Sequence, residues 1–76
     1  MYVQIDSLSM IYELTKNDIL LDPVKTERYI VDEINDRHLV LCAESEKRAL
    51  RMITFPSVRT EKWKVEIAKT QQQQSL

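Results

Sequence analysis

His38 and Cys42 are the only histidine and the only cysteine of the chain, and together they are its one conventional base-and-nucleophile pair. Thiol catalysis needs the two groups within hydrogen-bond reach, about 3 Å. The residues between them, Leu39, Val40 and Leu41, favour a strand. A strand puts both on one face but about 13 Å apart, at ~3.3 Å per residue. The pair therefore fails as a dyad. Cys42 reads instead as a small buried hydrophobe, and His38 as the end of a hairpin. A serine nucleophile would need the same His38 to serve Ser7, Ser9, Ser45 or Ser57, none of them local to it.

Metal and nucleotide chemistry find no better footing. One histidine and one cysteine cannot complete a four-ligand zinc site within a monomer. Asp32, Glu33 and Asp36 are ligand types for hard cations, but they lack the spacing and central glycine of an EF-hand. Asp32 and Glu33 also alternate to opposite sides of a strand, which argues against a carboxylate pair for acid–base work. The sequence has no glycine at all, so neither a P-loop nor a dinucleotide-binding loop can form. No catalytic, metal-binding or cofactor-binding residue is assigned, and the expectation is a non-enzymatic protein.

The positive signal is a run of cations: Arg48, Arg51, Arg59, Lys62 and Lys64, with Phe55 and Trp63 interleaved. These residue types grip phosphate and stack on bases. Alternation turns Trp63 inward with Val65 and Ile67, however, and leaves Lys62 and Lys64 to the solvent. The pI of about 5.8 also lies below that of a dedicated nucleic-acid domain. The net charge of −1 hides an asymmetry. Residues 1–38 carry eight acids against four bases, and residues 39–76 seven bases against four acids. A chain so polarised suits an oriented contact with another protein.

The expected function is a binding or regulatory module that meets a protein partner through a charged face formed by these five cations. Nucleic-acid binding through the same residues is one alternative, and a homo-oligomeric structural or accessory subunit is another. A groove for proline-rich peptides would need several exposed aromatics. The aromatic supply is five residues, Tyr2, Tyr12, Tyr29, Phe55 and Trp63, of which the core claims a share.

These residues must be positioned by a small fold. A chain of 76 residues buries roughly 60–65% of its unfolded surface and forms one domain, expected over residues 1–69. Residues 70–76, with Gln71 to Gln74, are expected to be a disordered polar tail. Turns must use Asn17-Asp18, Asp22-Pro23, Asn35-Asp36 and Phe55-Pro56. Between them, Ser7 to Leu14 alternates as a strand and Ile19 to Leu21 is a short apolar strand. Arg28 to Ile34 and Arg37 to Ala43 form a hairpin, and Lys62 to Ile67 is a half-buried strand. Residues 44–55 mix helix formers with the strand-favouring Ile53, Thr54 and Phe55. The reading is a strand, with a helix at about 44–53, in an α+β fold, as the alternative.

Five or six short antiparallel strands in fewer than 80 residues predict a mainly β fold closed into a small barrel. The stretch LTKNDILLDPVKTERYIVDEINDRHLVL resembles the opening of small SH3-like barrels, and FPSVRTEKWKVEI supplies the short turn before a closing strand. The likeness spans roughly residues 10–68 and implies an architecture in which binding is commoner than catalysis. The lone cysteine suits a reducing compartment. No apolar stretch of the roughly 7–15 residues of a signal peptide precedes Lys16, the first basic residue, and no segment is apolar for long enough to cross a bilayer. A cytoplasmic protein without membrane contact is expected.

Overall fold

The computed structural model describes residues 1–46 and 49–67. Along these residues the chain runs β1 (Tyr2–Gln4), α1 (Leu8–Tyr12), β2 (Ile19–Leu21), β3 (Arg28–Ile34), β4 (His38–Ala43), β5 (Leu50–Thr54), α2 (Phe55–Thr60) and β6 (Lys64–Glu66). The fold is mainly β. Its six strands make one antiparallel sheet in the order β1-β6-β2-β3-β4-β5. The expected tail, residues 70–76, lies outside the described residues.

Two expectations need correction. The alternating segment Ser7 to Leu14 is not a strand but the helix α1. Ser7 is extended, and its Oγ accepts the N–H of Met10 at 3.3 Å, which satisfies one of the bare donors at the helix start. The segment buries Ile11 and Leu14, three residues apart, while Leu8 and Tyr12 stay exposed. That spacing belongs to a helix turn and not to a pleat. The second correction concerns closure. Among the described residues the sheet is open, with β1 and β5 as unpaired edges, so the barrel is not closed. After Thr54 the chain turns into α2, whose first turn accepts Pro56 because an N–H there has no helical partner. The helix carries the chain away from β5, and the last strand inserts between β1 and β2 instead of joining the edges.

The two helices pack on each other and fill one end of the sheet. Ile11, Phe55 and Val58 are buried there, and Tyr12 meets Phe55 edge to face at 6.0 Å. Most of the rest of the core comes from one face of the strands, Leu20, Tyr29, Val31, Leu39, Leu41, Ala43, Ile53 and Val65, joined by Ile5, Leu14 and a fully buried Trp63 from the connecting segments. Residues 50–54 are the strand expected there, without the alternative helix.

Turns without glycine use other devices. Asn35 Oδ1 accepts the N–H groups of both Arg37 and His38 at 2.8 Å, folding the β3–β4 hairpin as an Asx-turn. Asn17, Thr26 and Lys62 take positive φ values of 80°, 56° and 66°. For asparagine this is routine, whereas for the β-branched Thr26 it is a strained conformation.

Candidate functional site

A connected polar group is built on Asp22, whose side chain is almost entirely buried. Its Oδ1 accepts the N–H groups of Val24 and Lys25 at 2.8 and 3.0 Å, shaping the loop after β2. Its Oδ2 accepts Nη1 of Arg51, from β5, at 2.8 Å. The guanidinium lies over the rings of Trp63 and Tyr29, 5.0 and 5.8 Å from their centroids. Its Nη2 is 4.0 Å from Glu61, which also accepts the indole N–H of Trp63 at 2.9 Å. Burial works to raise the Asp22 pKa. The N–H groups of Lys25 and Val24 and the Arg51 guanidinium outweigh it and hold the carboxyl below its ordinary value. Arg51 is thus tied into the fold by its charge and its flat face.

The other cations expected to form a charged face are placed differently. Arg59 and Lys62 flank the turn from α2 to β6, where the Lys62 N–H donates to the Arg59 carbonyl at 3.1 Å. Lys64 lies on the outer face of the sheet, between Gln4 and Leu21 on the neighbouring strands. All three are exposed, and none forms an ion pair among the described residues. Arg48 lies outside the described residues.

His38 opens strand β4 and Cys42 is its penultimate residue, both half-buried. His38 meets the Asn35 amide rather than Cys42. Among the described residues no group of three or more His, Cys, Asp or Glu side chains is placed to hold a metal ion. No described helix is long and apolar enough to cross a membrane. A groove of about 390 Å³ opens beside α1, with Met10, Leu14 and Val65 as its apolar part and Glu13, Asp18 and Glu66 at its sides. Its charged lining is acidic, and Arg51, Arg59, Lys62 and Lys64 take no part in it.

The outer face of the sheet divides into two halves. On the β1 side it is polar: Arg28 bridges Glu44 and Glu66 at 3.2 and 3.1 Å and reaches the Tyr2 hydroxyl at 3.2 Å. Toward β5 it is mainly apolar. The register aligns Ile19, Ile30, Cys42 and Leu50 in one row across four strands, with Glu33, Val40 and Met52 in the next. Leu50 and Met52 are 62% and 65% exposed.

This half ends at a strand edge that no other described strand covers. Phe55 donates to Arg37 and Ala43 to Ala49. With the register of β4 and β5, these bonds make Leu39/Ile53 and Leu41/Arg51 the hydrogen-bonded pairs. The N–H and C=O groups of Leu50, Met52 and Thr54 therefore point away from β4. Sequence reasoning gave Arg51 a surface role and assigned no function to Leu50 or Met52. The signal was present in the pattern Leu50, Met52, Thr54, which reads as the outward side of a strand, but only the topology shows that this strand is an edge. Comparison of the chain with known protein families, curated proteins and solved structures finds no match to any of them.

Proposed function

We propose that this chain is a non-enzymatic module that binds a protein partner by adding an extended segment of it to the sheet at β5. The observation that carries this reading is the bare row of Leu50, Met52 and Thr54 backbone groups beside exposed Leu50 and Met52 side chains. Backbone hydrogen bonds supply affinity in such strand addition, and alternate side chains supply selectivity. Natural edges are usually blunted by shortness, by proline or by charge. Here the one charged side chain on the edge, Arg51, is neutralised by Asp22, so the edge carries no free charge against a partner. An SH3-like architecture belongs to this proposal in one respect, the last strand returning beside the first after a short helical turn.

An array of extended peptides with alternating apolar and polar residues provides the test. Met52→Pro removes an outward N–H without touching the β4–β5 ladder. It should abolish peptide binding, while joint charge reversal of Arg59, Lys62 and Lys64 should leave it intact. Binding that survives Met52→Pro refutes strand addition. The second reading, nucleic-acid binding, is favoured by Arg59, Lys62 and Lys64, which form no ion pair among the described residues. It predicts anisotropy of a labelled oligonucleotide that rises at ~50 mM salt, collapses by ~200 mM and is lost in the charge-reversed protein. Because Trp63 is fully buried, its fluorescence is not the appropriate reporter.

A further inference from the structure

We infer that the strand added at β5 is β5 of a second copy, paired antiparallel about a two-fold axis at Met52. The inference rests on the reading of β5 as the binding edge and names its partner.

Self-complementarity of the edge carries it. The outward backbone groups are those of Leu50, Met52 and Thr54, evenly spaced about Met52, so a copy turned end for end presents the same row of donors and acceptors. Centred there, Met52 faces Met52 of the other copy, and each Leu50 faces a Thr54. All five residues of the strand are used, and about six hydrogen bonds form between the chains. On the inner side each Arg51 faces an Ile53. Moving the axis to Arg51 would leave Thr54 with no partner in the other copy's strand and reduce the bonds to about four. Moving it to Ile53 would require Phe55 and Pro56, which belong to α2. Strand length therefore selects one register.

The other free edge fits less well. Strand β1 has three residues, and its outward-facing Tyr2 and Gln4 belong to the polar half of the outer face. Pairing β1 with β5 would set them against Leu50 and Met52. It would also leave each molecule with an open edge, which propagates rather than closes. Pairing β5 with β5 joins the two apolar half-faces into one band and buries both long edges.

Sedimentation equilibrium of the full chain, with cysteine cross-linking as a second readout, tests the inference. Wild type should sediment as a dimer, and Met52→Pro as a monomer with an unchanged far-ultraviolet spectrum. In a Cys42→Ser background, Met52→Cys should form an intermolecular disulfide under mild oxidation. Cα atoms in such a hydrogen-bonded pair are about 5.5 Å apart, within disulfide range. Leu50→Cys faces Thr54 and should cross-link far less. Equal cross-linking at the two positions overturns the register, and a monomeric wild type overturns the dimer. If the chain is monomeric yet binds extended peptides in a manner lost in Met52→Pro, the self-pairing fails while strand addition stands. If peptide binding is also absent, both fail.

Discussion

Asp22 shows how much of this fold depends on a single side chain. It closes the loop after β2 through two backbone N–H groups and fastens that loop to Arg51, 29 residues further along. Neither residue announces this in the sequence: Asp22 precedes a proline and reads as a turn, and Arg51 reads as one of several surface cations. Their pairing exists only once β5 has been brought alongside the loop. The carboxyl titrates lower when folded than its ordinary value near 3.8, so the sign of its pH effect follows. Stability from the ionised form is fully present above the unfolded pKa and is lost as pH falls through the folded one. Asp22→Asn should destabilise the protein by about 1–3 kcal/mol at pH 7, because a buried acceptor of charge-assisted bonds is weakened. Below pH 4 the gap between variant and wild type should narrow. Urea midpoints measured from pH 7 down to pH 3 check both points, and a gap independent of pH would show that Asp22 acts through shape alone.

At the scale of elements, the sequence was most legible where local chemistry and long-range packing agree. The β3–β4 hairpin appears at residues 28–34 and 38–43, joined through Asn35 as its turn chemistry implied. Strand β2, bounded by Asn17-Asp18 and Asp22-Pro23, has the expected residues. The failures lie where a short segment satisfies two periods. Leu8, Met10, Tyr12 and Leu14 alternate, but Ile11 and Leu14 are the residues that the core accepts, and Ser7 caps the helix without the acidic partner of a capping box. A five-residue helix has little stability of its own, so its cap matters more than usual. Ser7→Ala should cost about 1 kcal/mol, read as a lower urea midpoint, with amide exchange accelerating first at Met10 and Ile11. A substitution without effect on either would show that packing of Ile11 alone holds α1. The second helix left a clearer mark, Pro56 at its first turn. That proline also signals the end of β5, which is why the sheet stays open.

At the scale of the whole molecule, both helices and the sheet bury their apolar sides in one cluster, with Trp63 at its centre and fully enclosed. A single core means that no element has an independent reason to stay folded. Unfolding should therefore be one transition, with Trp63 fluorescence and far-ultraviolet circular dichroism falling at the same urea concentration. Domains of this size hold only about 0.05–0.15 kcal/mol per residue, and removing a buried tryptophan side chain costs about 3–5 kcal/mol. Trp63→Ala would also release Arg51 and Tyr29 from the ring they pack against. The variant should be largely unfolded at room temperature, whereas Trp63→Phe should fold with a lowered midpoint. Separate transitions for the two probes in wild type would instead show that the α1–α2 end opens on its own. In that case the sheet, with its β5 edge, would be the persistent unit, and loss of peptide binding would follow the circular dichroism rather than the loss of helix packing.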